Sequence, residues 1–253
     1  MTKATASIFV GCAGWSIPAK QQAGFPQAGT HLEKYASRLT ASEINSSFYR
    51  AHKPETYARW ASSVPSTFRF CVKVPKTITH ERRLADARDL MDAFIGETSA
   101  LGRKLGCLLV QLPPSLAFDE PVATRFFAEL RRLYKGAVAL EPRHATWFSA
   151  RADKLLVTKH IGRVAADPAP VPEAAHPAGW QKTAYYRLHG SPRMYYSSYG
   201  ESRLKRLQTA LAGHGAKGAQ VWCIFDNTAS GAAMANALTL SKMLAAPARL
   251  TAR

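Results

Sequence analysis

The sequence predicts an α/β protein, a single (β/α)8 TIM barrel with an irregular sixth βα unit. Three observations predict it. The chain has 253 residues and is 47% hydrophobic, enough for a buried core and close to the roughly 250 residues of one such barrel. Eight short apolar segments alternate with amphipathic ones. Nearly every apolar segment ends in polar groups, while its start carries few. Strict strand–helix alternation means parallel strands joined by crossover helices, and eight units in this length favour a closed barrel over an open doubly wound sheet. The phosphate fingerprints of open sheets are also missing, because Gly11-Cys12-Ala13-Gly14 lacks the GxGxxG spacing and no strand candidate leads into a Walker loop. One domain is expected over residues 1–253.

The strand candidates, in order, are Ile8–Gly11, Ser42–Phe48, Phe68–Val74, Cys107–Leu112, Ala137–Leu140, Arg163–Ala166, Ala184–Leu188 and Val221–Phe225. Most are short, rich in Val, Ile, Phe, Tyr or Leu, and bounded by Gly, Pro or Asn. Between them lie stripes at helical spacing. Leu90, Phe94, Leu101 and Leu105 mark one helix from about Ala87 to Lys104. Val122, Phe126, Leu130 and Leu133 mark a second, and Leu204, Leu207 and Leu211 a third. Met234, Leu238 and Ser241 run along the last, with Ala235 and Leu244 beside them. After the sixth strand, Asp167-Pro168-Ala169-Pro170-Val171-Pro172 cannot form a regular helix. The sixth helix is therefore expected to be missing or shortened, and the short stretch Pro168–Gln181 is the one that resembles a linker.

Cys12, Cys71, Cys107 and Cys223 lie far apart in apolar runs without a CxxC pair, so they read as core residues in a reducing compartment. There is no 18-residue apolar run, so no membrane span is expected. Ile8 to Val10 is too short for a secretory signal, which leaves the cytoplasm as the expected location. Lys and Arg number 34 against 17 Asp and Glu, a net charge of +17. Such a charge attracts polyanions, but the basic residues are spread over most helices, as at Arg131-Arg132 and at Arg203 with Lys205-Arg206. An anionic small molecule or a nucleic acid is the expected partner.

In a barrel the active site lies at the carboxyl ends of the strands. Here those ends carry Trp15 after the first strand, and Glu43 and Asn45 with Tyr49 at the second. Lys73 with the following His80 stands at the third, and Gln111 at the fourth. The fifth gives Glu141, Arg143, His144 and Trp147, the seventh Arg187 and His189, and the eighth Asp226 with Asn227. Side chains two apart share a face of a strand. Glu43 with Asn45, Glu141 with Arg143, and Arg187 with His189 therefore converge on one mouth if they point inward. Lys73, Arg143 and Arg187 could clamp an anion. Glu43 and Glu141 could be acid and base, or could pair with those cations; His144 and His189 could transfer protons or bind metal. No HxH or HExxH spacing specifies a metal, so a divalent ion is not favoured and no cofactor is specified. Tyr195 and Tyr196, with Tyr199, could stack on a base or sugar or pack their loop down. Asn227 to Gly231 opens a helix where barrels commonly bind phosphate.

At these residues the chain resembles the DUF72 family, also called YecE-like. The matching pieces run in order over essentially the whole chain: Gly11-Cys12-Ala13-Gly14-Trp15, Glu43 to Arg50, Phe70-Cys71-Val72-Lys73 with Thr79-His80, and Gln111 to Pro114. They continue with Glu141 to His144 and Trp147, Arg187 to Gly190, and Phe225 to Thr228. The resemblance implies a TIM barrel and supplies no reaction, since the family lacks an established biochemical role. The first loop departs from it: Ala19-Lys20-Gln21 stands where the family usually has a further aromatic.

The first expectation is an enzyme acting on a phosphate-bearing substrate, with phosphoester hydrolysis of a nucleotide or nucleic acid named first. The alternative is a sugar or small-carboxylate isomerase or lyase, with Glu43 and Glu141 as proton shuttles; a mouth closed to anything larger than a small molecule favours it. The third is a non-catalytic nucleic-acid binder.

Overall fold

Eight strand positions pair side by side in chain order, and the ladder returns to its beginning through a sixth strand that is broken in the middle. The computed structural model describes residues 7–246; residues 1–6 and 247–253 of the expected domain lie outside the described residues. The elements are β1 (Ile8–Ala13), α1 (His31–Ala36), β2 (Ala41–Ile44), α2 (Ser46–Tyr49), α3 (Pro54–Ser62), β3 (Arg69–Lys73), α4 (Arg88–Thr98) and β4 (Leu105–Gln111). They continue with α5 (Glu120–Leu133), β5 (Ala137–Glu141), α6 (Ala150–Thr158), β6 (Gly162–Arg163), β7 (Ala165–Asp167) and β8 (Ala178–Gly179). The last are β9 (Thr183–Leu188), α7 (Glu201–Ala216), β10 (Gln220–Phe225) and α8 (Ala232–Ala245).

The pairs β9–β10, β10–β1, β1–β2, β2–β3, β3–β4 and β4–β5 are all parallel. β6 pairs with β5 on one side, whereas β7, after the single residue Val164, pairs with β9 on the other. The expected sixth strand is thus present in two halves that link the two flanks. No α-helix follows it among the described residues; the chain makes one 3-10 turn, Pro172–Ala175, and the short β8, antiparallel to β6. The proline run removes the donors a helix would need.

Alternation sorts the side chains. Ala41, Cys71, Cys107, Leu109, Ala139, Tyr185, Trp222 and Ile224 fill the barrel interior. Their chain neighbours, such as Val10, Phe70, Leu108, Val138 and Tyr186, pack outward against the helices. All four cysteines are buried and free. None of the described helices is long and apolar enough to cross a membrane.

Three boundaries differ from the sequence expectation. β2 stops at Ile44, and Ser46–Tyr49 turns into the short α2, so Asn45 leaves the strand face. The helix expected over 87–104 ends at Thr98; a 3-10 segment follows with Gly102 at a φ of 53°, and Leu105 begins β4. On α8 the buried residues are Ala233, Met234, Asn236, Ala237 and Leu240, whereas Leu238 is only partly buried. The core-facing stripe is therefore rotated from Met234–Leu238–Ser241.

Gly11 is where two strands come closest. The Tyr35 hydroxyl accepts the Cys12 amide at 2.7 Å and donates to the Ala41 carbonyl at 2.7 Å, tying β1 to β2. A Cβ on Gly11 would overlap that same carbonyl and lie 2.8 Å from the Tyr35 hydroxyl. Gly11→Ala is therefore expected to destabilise the protein by about 2–3 kcal/mol, read as a lower midpoint in urea denaturation.

Candidate active site

The same alternation builds the mouth. One pleat above the apolar interior layer, Glu43 follows Ala41, Lys73 follows Cys71, Glu141 follows Ala139, and Arg187 follows Tyr185, each two residues on. His189 and Asp226 continue the inward faces past the ends of β9 and β10. The site is therefore a ring of strand-end side chains held on rigid neighbours rather than on loops.

Arg187 is its centre, 2% exposed. Its Nε lies 3.1 and 3.0 Å from the two carboxylate oxygens of Glu43, and its Nη2 lies 2.6 Å from Glu43 Oε1. Nη1 donates to Glu141 Oε2 at 3.1 Å, and Nη2 is also 3.0 Å from Asp226 Oδ2. Glu43 receives a further bond from the buried Tyr185 hydroxyl at 2.7 Å. All three guanidinium nitrogens are thus engaged, so Arg187 organises the site instead of clamping an incoming anion. It is the shared counter-charge of three carboxylates. Among the described residues no group of three or more His, Cys, Asp or Glu is arranged to hold a metal.

His189 is fully buried between two of these carboxylates, with Nε2 2.9 Å from Glu141 Oε1 and Nδ1 3.1 Å from Asp226 Oδ2. Both ring nitrogens can donate only in the imidazolium form, whereas Arg143 Nη2, 3.1 Å from the same Nε2, is itself a donor. Burial opposes that form, but Glu141 and the bonds to Asp226 and Glu141 outweigh it, and the pKa is raised. Burial likewise opposes the Glu141 carboxylate, yet Arg187, His189 and Arg143 together hold it well below the usual range. Asp226 is also lowered, chiefly by Arg187 acting against burial. Arg143 reaches Glu141 Oε1 with Nη2 at 2.7 Å, while its Nε is buried without a partner.

Lys73 stands apart. It is 7% exposed, and its Nζ lies 4.0 Å from the centre of the Phe48 ring. Among the described residues no hydrogen bond or ion pair reaches Nζ, although the Lys73 carbonyl accepts from Ser47 Oγ at 2.7 Å. Burial pushes its pKa down, helped by Arg187 and resisted by Glu43, Glu141 and Asp226, to about 8. His80 packs edge-on against the same Phe48 ring at 5.0 Å, with Nδ1 2.8 Å from Thr79 Oγ1. Burial and then Lys73 lower its pKa.

The remaining expected residues fall into three groups. Tyr195 covers His189, ring to ring at 5.9 Å, and is 43% exposed. Asn45 starts α2 with its Oδ1 buried and unpartnered, and Gln111 lies at the end of β4 with a 3.4 Å bond to the Leu112 carbonyl. Others serve the frame. Trp147 is in the core, its Nε1 donating to the Leu116 carbonyl at 2.9 Å, because the 3-10 turn after β5 carries it inward. His144 starts that turn and accepts from the Thr146 amide. Trp15 packs edge-on against Trp60 and Phe70. Asn227 ties the seventh loop down, donating to the Ser197 carbonyl at 2.9 Å and to Asn236 Oδ1 at 3.0 Å. Tyr49 and Tyr196 are outside, at 72% and 46% exposure, with Arg193 stacked on Tyr196. Tyr185 was not foreseen, and Asp226 was seen only as a strand end; both have the parity of Arg187 or follow Ile224 by two, which is the signal that finds them.

Replacing Arg187 by Met would leave Glu43, Glu141 and Asp226 buried without their counter-charge. It is expected to cost about 3–5 kcal/mol, and Tyr185→Phe about 1.5–3 kcal/mol, both read in urea denaturation. Because the Glu141 pKa is lowered from 4.5, its stabilisation is complete above that pH and drains as pH falls below it. The melting temperature is expected to fall through this acid range, and less steeply in Glu141→Gln.

The comparisons agree with this architecture. A family model described as "Protein of unknown function DUF72" matches residues 9–253. The UPF0759 protein YecE of Escherichia coli K12 is 31% identical over 176 residues, 67% of this chain and 62% of that protein. The UPF0759 protein YunF of Bacillus subtilis is 27% identical over 150 residues, 56% of this chain and 52% of that one. The matches thus span less than two thirds of the length of these relatives. A crystal structure of a DUF72 family protein from Enterococcus faecalis superposes with a TM-score of 0.78 at 23% identity, covering 95% of this chain and 96% of that one. Another, from Thermotoga maritima, gives 0.77 at 23%, covering 94% and 99%.

Proposed function

The chain belongs to the DUF72 family, and for this member we propose that the barrel mouth is an enzyme active site for a small anionic substrate, worked by proton transfer. The observation that carries the reading is the closure of the site: Glu43, Glu141 and His189 are fully buried, and Arg187 and Lys73 are nearly so. A polymer backbone needs an open groove, whereas a sugar phosphate or small carboxylate can enter past Tyr195. The isomerase or lyase class is therefore favoured over hydrolysis of a nucleic acid.

The roles follow from the charge states. Glu43 and Glu141 are held in ion pairs, so they frame the site rather than shuttle protons. His189, whose pKa Glu141 and Asp226 raise, supplies the acid. Lys73 sheds its proton near neutrality and supplies the base. Burial lowers Lys73 while the neighbouring carboxylates raise His189 against burial, and these opposite shifts bring the two towards each other, which is the condition for paired acid–base work. Arg143, with Nε unpartnered, and Asn45, with Oδ1 unpartnered, are the groups free to hold substrate oxygens and hydroxyls.

The net charge of +17 finds no role in this mouth. Part of it gathers at the opposite end of the barrel, where Arg131, Arg132, Lys135 and Lys159 line a cavity of about 720 Å³. These residues sit at the C-terminal ends of α5 and α6, where cations complement the helix dipoles. Arg131 is spent on the carbonyls of Lys159 and Gly136.

The test is a panel of small sugar phosphates, keto acids and phosphoesters incubated in D2O and followed by proton NMR. Exchange of carbon-bound hydrogen or turnover is expected in the sugar-phosphate or keto-acid arm, falling about 100-fold or more in His189→Ala. Phosphoester hydrolysis as the sole activity would overturn the reading. The rate is expected to rise with pH through about 8 as Lys73 loses its proton. The rising limb should vanish in Lys73→Arg.

A further inference from the structure

We infer that Lys73 is a nucleophilic amine that condenses with the carbonyl carbon of a small anionic aldehyde or keto compound. The inference rests on the reading that substrate enters this mouth, and it names the substrate class. Lys73 is the last residue of β3, and its Nζ rests on the Phe48 ring. The three carboxylates nearby, Glu43, Glu141 and Asp226, are already turned onto Arg187. A lysine that served only as an anion clamp would gain from keeping its charge, and a carboxylate partner would hold it there. Here a cation is buried with no counter-charge of its own and with a second cation, Arg187, close by. Both features favour the neutral amine, whose lone pair is the nucleophile, and they outweigh the Phe48 ring and the three carboxylates, which favour the ammonium. His80, the remaining titratable group beside it, is lowered by Lys73 and adds no negative charge.

The step balances without a further reactant. The Nζ lone pair forms the C–N bond as the carbonyl π pair moves to oxygen, giving a carbinolamine. The carbonyl oxygen then leaves as water with the two hydrogens of the amine, giving an imine. The imine draws electrons from the adjacent carbon, which makes its C–H or C–C bond easier to break; with a carbonyl substrate Lys73 thus acts as nucleophile and electron sink in place of base.

The experiment uses the whole chain with glyoxylate and sodium cyanoborohydride at pH 7, with modified lysines mapped by peptide mass. About one in ten Lys73 side chains is neutral at this pH, against about one in a few thousand for an ordinary lysine. Lys73 is therefore expected to be modified at least about tenfold faster than the exposed Lys20 and Lys53, and glycolate, the same anion without the carbonyl, is expected to slow it. Lys73→Arg should remove this adduct and leave surface labelling unchanged. Binding is read separately as the rise in melting temperature with glycolate, in the wild type and in Arg143→Ala. If glycolate stabilises the wild type but not Arg143→Ala, while Lys73 reacts no faster than Lys20 and Lys53, the imine is overturned and the anion-binding mouth stands. If Lys73 is labelled rapidly but glycolate neither slows it nor binds, the anionic substrate class is overturned. Neither labelling nor binding overturns both readings.

Discussion

The ion pairs around Arg187 are the interaction on which the mouth depends. Three carboxylates from β2, β5 and the end of β10 are brought into a barrel whose interior is otherwise apolar. Each would be costly to bury alone. One planar guanidinium with donors on three nitrogens satisfies all of them at once, bidentately for Glu43. That arrangement fixes the orientation of Glu141, which in turn fixes His189 and Arg143. It also removes the partners that Lys73 would otherwise have. The pairing of Glu141 and His189 and the unpaired state of the Lys73 amine both follow from where a single arginine points.

The strand parity that sets this geometry was legible in the sequence. Glu43, Lys73, Glu141 and Arg187 were each assigned to an inward face because they end apolar runs, and the structure places them on one layer. The eight strand positions and the missing sixth helix were legible for the same reason, since period-two patterning and a proline run are local signals. What the sequence could not show was pairing. Arg187 read as a clamp for an outside anion because its partners, Glu43, Glu141 and Asp226, lie far from it in sequence, the nearest 39 positions away. Trp147 read as a mouth residue because nothing local tells which way a 3-10 turn will roll. Asn45 was misplaced by one boundary: the apolar Phe48 extended the expected strand, Ser42–Phe48, into what is a helical turn. On α8 a small-residue face, Ala233 with Ala237, proved the buried one, although larger Leu238 drew the eye.

The sixth strand leaves a mark on how the barrel can vary. Its two halves answer to different neighbours, with one residue between them, and the segment that follows has no helix to bury. None of the inward groups of the mouth comes from residues 168–181. Segments could be added or removed there without displacing any member of the charged ring, and a graft or affinity tag placed in this stretch would ride on the barrel wall as a passenger. The seam is thus the natural port for attaching new modules to an otherwise sealed cylinder.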